Sequence, residues 1–103
     1  MMTVTALYST PADPAAFEAH YLSTHAPLVD AIPGLLRQET ARSTGTPDGS
    51  PAPYYRIAHL YFPDAAALQA GMASPEGRAT AKDASELVAR TGCTLTLLTA
   101  ELD

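Results

Sequence analysis

The stretch from residue 54 to residue 62, YYRIAHLYF, constrains this chain more than any other. It reads as the strongest strand of the sequence. Tyr55, Ile57, His59 and Tyr61 point to one side; Tyr54, Arg56, Ala58, Leu60 and Phe62 point to the other. Large side chains stand on both sides. A sheet with one wet face carries polar residues at alternate positions, so something has to cover each side of this strand.

The rest of the chain supplies partners for it. Residues 2–8, MTVTALY, alternate and are rich in β-branched types, which predicts a first strand. Asp13-Pro14 is a helix start: the carboxylate caps free N–H groups and proline fits the first helical position. Phe17, Tyr21, Thr24, His25 and Leu28 then share one face at helical spacing. Pro27 cannot donate to the carbonyl of Ser23 and biases Ala26 away from helical angles. The pattern predicts a kink or break just after His25, a further turn to about Ala31, and an end at Pro33-Gly34. Residues 35–42 form a second strand, and the turn formers of residues 43–53 connect it to residues 54–62. Asp64 caps a short helix over residues 65–71. Ser74-Pro75-Glu76 starts a longer one that runs to about Thr91 and stops at Gly92. Residues 93–101 give a fourth strand.

Strand, helix, strand, strand, helices, strand is the split βαβ order of an α+β, ferredoxin-like βαββαβ fold. Its helices lie on one face of a four-stranded antiparallel sheet. The 103 residues fit one domain, 1–103. The second sheet face still needs a cover, and another copy of the chain would supply it as a homodimer.

Composition narrows the partners. A net charge of −5, with a single Lys, at Lys82, and scattered Arg, argues against nucleic acid and against an anionic membrane surface. No window approaches a membrane span, and the N-terminus has no basic n-region. The one cysteine, Cys93, can form no internal disulfide, which suits a cytoplasmic location.

His25 is the sharpest candidate for chemistry. It shares the Phe17–Tyr21 stripe, faces the sheet, and lies where Pro27 opens the helix. A histidine there can act as general acid or base, or it can bond the carbonyl freed by Pro27. Tyr21 is either core or a hydroxyl that orients a ligand. His59 lines a pocket or sits in the dimer core, because alternation does not reveal which face meets the helices. His20 is offset from the stripe and reads as a boundary residue. Tyr8 and Tyr61 read as rim residues, and Asp83 as a cap or surface residue. Arg56 lies at a solvent edge or pairs with a carboxylate, from Glu39 or from a ligand. His20 and His25 are five apart, which does not align two metal ligands on one helix face. No metal or cofactor is therefore expected.

The runs Phe17-Glu18-Ala19-His20-Tyr21, Thr24-His25-Ala26-Pro27-Leu28-Val29 and Ile32-Pro33-Gly34-Leu35 resemble the EthD family. So do Phe62-Pro63-Asp64, Leu68, Ser74-Pro75-Glu76-Gly77 and Asp83. The resemblance covers nearly the whole chain. It implies a dimeric α+β barrel with a pocket between each sheet and its own helices. EthD-like proteins are associated with degradation of ethyl tert-butyl ether beside a cytochrome P450 system. Similar barrels serve as cofactor-free monooxygenases, polyketide cyclases, lactone isomerases and decarboxylases, and fold does not choose among them. The oxidoreductase label comes with the resemblance alone. The leading expectation is a cofactor-independent enzyme of catabolism or secondary metabolism. It would act on a hydrophobic cyclic or aromatic small molecule, with His25 moving a proton and Tyr21, His59, Phe17 and Tyr61 contacting the ligand. The alternative is a ligand-binding or accessory protein to a separate oxygenase.

Overall fold

A computed structural model describes residues 1–103. Strands β1 (Met2–Tyr8), β2 (Arg37–Arg42), β3 (Arg56–Phe62) and β4 (Leu95–Glu101) form one antiparallel sheet in the order β2-β3-β1-β4. Helices α1 (Pro14–His20), α2 (Ala26–Asp30), α3 (Ala65–Ala73) and α4 (Pro75–Thr91) complete a ferredoxin-like fold. The molecule is a slab about 17 Å thick in its thinnest direction, room for one sheet and one helix layer.

The caps follow the local chemistry of the sequence. Asp13, Asp64 and Ser74 accept hydrogen bonds from the backbone N–H of Ala16, Ala67 and Gly77 at 3.1, 2.8 and 3.0 Å. Gly92 closes α4 in the left-handed conformation, φ 72°, ψ 54°. Strands β2 and β4 each start two residues later than their apolar pattern suggests, and β3 excludes Tyr54 and Tyr55.

Burial decides the question that alternation left open. Along β3, Arg56, Ala58, Leu60 and Phe62 are buried under the helices; Ile57, His59 and Tyr61 lie on the other face. In β1, Val4, Ala6 and Tyr8 join the helix side, where Tyr8, Phe17, Tyr21, Phe62 and Leu87 are the largest fully buried side chains. The ring of Tyr8 meets Phe17 edge-on at 5.2 Å, and Phe17 stacks on Tyr21 at 5.5 Å. The open face carries Leu7, Ile57 and Leu98 among polar groups, and Leu98 is 53% exposed.

The expected break after His25 is absent. Tyr21–His25 forms one π-helical turn between α1 and α2, and the Ala26 N–H bonds the carbonyl of Tyr21. His25 and Ala26 both keep helical angles, φ −68° and −59°. Widening the turn makes room for the proline ring without reversing the chain. The extra residue also rephases the buried stripe. Phe17, Tyr21, His25 and Val29 are buried at a spacing of four, whereas Thr24 is exposed and Leu28 only half-buried.

Close helix packing depends on Gly77. A Cβ there would stand 2.3 Å from the Gly71 carbonyl oxygen and 2.6 Å from that of Met72, both backbone atoms at the end of α3. Gly77→Ala is expected to cost ~3 kcal/mol by overpacking against backbone that cannot yield. Urea unfolding of the variant checks it, and a loss below about 0.5 kcal/mol would show that α3 and α4 separate freely.

Candidate functional site

The buried end of the first helical unit faces an apolar cavity of about 170 Å³ between sheet and helices. Val4, Ala6 and Tyr8 of β1, Ala58 and Leu60 of β3, and Leu95 and Leu97 of β4 form its floor. Tyr21, His25 and Val29 close one side, and Thr80, Ala81, Ala84 and Ser85 of α4 the other. Small side chains at Ala6, Ala58, Ala81 and Ala84 leave the space open. An engineered cavity of roughly 150 Å³ lined by apolar groups takes up benzene, so this space suits a single ring.

His25 is the one titratable imidazole on this wall, and its side chain is 6% exposed. Its Nδ1 lies 2.9 Å from Asp83 Oδ2, and its Nε2 lies 3.4 Å from the Tyr8 hydroxyl. A carboxylate only accepts, so Nδ1 donates to Asp83 and Nε2 carries the lone pair. The Tyr8 contact is at the long edge of hydrogen-bond range, which leaves Nε2 weakly engaged and turned toward the cavity. Asp83 Oδ1 accepts from His20 Nε2 at 2.8 Å, and Arg90 Nη2 donates to His20 Nδ1 at 3.0 Å. Spacing alone gave no hint of this meeting. The π turn lets two histidines five residues apart reach the two oxygens of one carboxylate, and no group of three or more ligand-type side chains is arranged to hold a metal ion.

Burial pushes the His25 imidazole below its ordinary value, and it outweighs the opposing hydrogen bond and charge of Asp83. The ring is therefore a neutral base at pH 7. Burial pulls Asp83 upward, but the hydrogen bonds from His20 and His25 prevail and hold it low. Burial raises the Tyr21 phenol to about 12, and raises Tyr8 further, so both stay protonated.

These shifts fix the sign of an acid effect. The unfolded chain protonates His25 near 6.5 while the folded chain resists. Stability from the neutral ring is thus present above that value and lost as pH falls toward the depressed folded one. Asp83 acts in the same direction in a more acidic window, below 3.8. Urea midpoints are expected to fall between pH 7 and pH 5, and His25→Gln is expected to remove most of that slope. An unchanged slope in the variant would place the effect elsewhere.

The other sequence candidates divide. Tyr21 lines the cavity, its ring centroid 5.4 Å from that of His25. Phe17 is core behind Tyr21 and does not line the space. His59 and Tyr61 lie on the opposite sheet face, so neither reaches the cavity. His59 Nδ1 meets Thr5 Oγ1 at 3.0 Å, and the Tyr61 hydroxyl donates to Glu39 at 2.6 Å. Tyr8 is not a rim residue but 1% exposed and part of the site. Arg56 is buried, not at a solvent edge, and its partner is Glu18 of α1 rather than Glu39. Asp83 is neither a cap nor a free surface residue: it holds His25. The signal for it was one acid on the inward side of α4, indistinguishable by spacing from a solvated charge.

Comparison with known proteins places the fold and its family. The EthD domain model matches residues 9–91. An 11.0 kDa protein from the thcB–thcC intergenic region of Rhodococcus erythropolis is 45% identical over 83 residues, covering 81% of this chain and 80% of that protein. The crystal structure of an EthD-family protein from Bacillus halodurans C-125 superimposes with a TM-score of 0.91 at 38% identity, covering 100% of this chain and 99% of the other. SnoaB, a cofactor-independent oxygenase from Streptomyces nogalater, shares the fold, with a TM-score of 0.65 at 22% identity over 99% of this chain and 94% of its own. With the domain model matched over residues 9–91 and an EthD-family structure tracking it along its whole length, the chain belongs to the EthD family.

Proposed function

We propose that this EthD-family protein is a cofactor-independent enzyme acting on a hydrophobic cyclic or aromatic small molecule, with His25 as the proton-transfer residue. One observation carries the reading: a neutral, buried imidazole oriented by a carboxylate lines an apolar cavity, its Nε2 engaged only by the long 3.4 Å contact with the Tyr8 hydroxyl. A general base needs a lone pair held in a fixed direction beside the bound ligand. The ligand is a neutral ring bearing an acidic C–H or a phenol. Its flat face packs on Tyr21, its polar atom meets the Tyr8 hydroxyl, and its acidic proton passes to His25 Nε2. Catabolism and secondary metabolism both handle such molecules.

The working unit in this reading is a homodimer. The open sheet face, with Leu7, Ile57 and Leu98 beside His59 and Tyr61, is covered by the same face of a second copy, which puts His59 and Tyr61 in the interface. Light scattering at micromolar concentration is expected to give twice the chain mass of 10.8 kDa, and Leu98→Glu is expected to halve it. A wild-type mass equal to one chain would rule the dimer out.

Cyclohexenone and phenol are the probes of the site. Wild-type protein is expected to bind them and to accelerate exchange of the enone's acidic protons into D₂O, monitored by proton NMR. Binding without faster exchange would favour the second reading, an accessory protein that holds a ligand for a separate oxygenase.

A further inference from the structure

The base proposed above hangs on a chain of hydrogen bonds whose outer half has no contact with the cavity. It runs from Arg90 to His20 at 3.0 Å, from His20 to Asp83 at 2.8 Å, and from Asp83 to His25 at 2.9 Å. Its polarity is set by its two ends. A guanidinium has only donors, so His20 Nδ1 must be the acceptor and His20 Nε2 must carry the proton. That N–H points at Asp83 Oδ1. His25 Nδ1–H points at Asp83 Oδ2. Donors thus converge on the carboxylate from both sides.

This convergence has two consequences. The chain cannot pass a proton outward from His25, because His20 offers Asp83 a hydrogen and not a lone pair. It can hold the carboxylate, since an anion engaged at both oxygens has no freedom to turn away. The side chains of Asp83 and His20 are 13% and 21% exposed, so without such a hold the carboxylate could rotate toward water. A hollow lined by Ala16, Ala19, His20, Ser23, Arg90 and Thr91 brings solvent to this outer end.

We infer that His20 and Arg90 are positioning residues, which pin Asp83 so that His25 stays in the tautomer whose Nε2 lone pair faces the cavity. The inference rests on the reading of His25 as the base and adds how that base is kept ready. The charged and titratable groups around His25 are those of the chain, Asp83 and Arg90 from α4, His20 from α1 and Tyr8 from β1, together with Tyr21 one turn back, whose ring lies 5.4 Å away.

The test uses the 103-residue chain without ligand. Long-range ¹H–¹⁵N NMR of histidine-labelled protein reads the tautomer of each ring directly. Wild-type His25 is expected to be Nδ1-protonated and His20 Nε2-protonated. His20→Leu removes the donor to Asp83 and is expected to raise the minor His25 tautomer about threefold or more. Arg90→Ala, at an exposed position that the fold tolerates, is expected to shift it the same way by less. His20→Gln is expected to restore the wild-type ratio, because its amide donates to Asp83 and its oxygen accepts from Arg90. A merely structural role would lower stability in these variants and leave the ratio alone. If His20→Leu and Arg90→Ala both keep the wild-type ratio, the inference is overturned. The outcome is separable from the function itself: unimpaired proton exchange in His25→Ala removes the base and leaves the tautomer result standing.

Discussion

His25→Ala is expected to reduce the exchange of cyclohexenone protons by about 10²–10⁴-fold, the usual contribution of a positioned acid–base group. The chemistry needs an acceptor at one place, and Nε2 is the lone pair there. Tyr8, 3.4 Å away, cannot replace it, since burial keeps its phenol protonated. Asp83 is a poor substitute: in the variant its Oδ2 loses the His25 donor, but Oδ1 stays held by His20 and the carboxylate lies behind the deleted ring, on the Nδ1 side and not where Nε2 stood. Loss of the imidazole enlarges the cavity, so binding of the probe should survive or improve while exchange fails. That split separates a lost base from a lost pocket. Circular dichroism establishes that the variant is folded. A folded variant that still exchanges at the wild-type rate ends the catalytic assignment.

A loss of stability as large as that of Gly77→Ala is expected at Glu18. Its carboxylate meets Arg56 through two contacts, Nε to Oε1 at 3.2 Å and Nη2 to Oε2 at 2.6 Å. The Arg56 side chain is 7% exposed and that of Glu18 22%, and the guanidinium also lies 4.7 Å above the Tyr21 ring. Attraction between two such ions is largely offset by the cost of drying them, so the pair adds little net stability. Removing one member is different, because a buried cation is left with no counter-charge. Glu18→Ala is expected to cost about 3 kcal/mol, the lower end of the range for a broken buried pair, as Glu18 keeps some solvent. For a domain of this size that lowers Tm by roughly 12–24 °C. The double variant Glu18→Leu/Arg56→Met is expected to recover most of the loss, since neither ion then remains. A cost under about 1 kcal/mol for Glu18→Ala would mean that Arg56 reaches water and the pair behaves as a surface one. Arg56 also ties β3 to α1 beside Tyr21, so the unstable variant should bind cyclohexenone less well even below its melting temperature.

The elements of this fold were legible because their signals are local. An Asp or Ser cap bonds an N–H three residues on, a glycine ends a helix by its own φ, and a strand shows itself by its own alternation. Four strands, the helix starts at Asp13, Asp64 and Ser74, and the stop at Gly92 were therefore written in the sequence, as was the buried stripe carrying Phe17, Tyr21 and His25. The EthD-like runs of residues identified the family for the same reason, since they are short and contiguous.

Tertiary structure decided the rest, where the physics is not local. Alternation along β3 separates His59 from Arg56 but is symmetric between the two faces, and only the helices broke that symmetry, placing His59 away from the cavity. Pro27 announces a disturbance without fixing its form: a break and a π turn remove the same hydrogen bond, and packing of Tyr21 and His25 on the sheet favoured the one that keeps the helix direction. Polar contacts join residues far apart in the chain, 38 positions for the Arg56–Glu18 ion pair and 58 for the His25–Asp83 hydrogen bond, and no spacing rule reaches that distance. The sequence thus determined that a histidine would face the sheet; which carboxylate would orient that histidine was settled only when α4 closed over it.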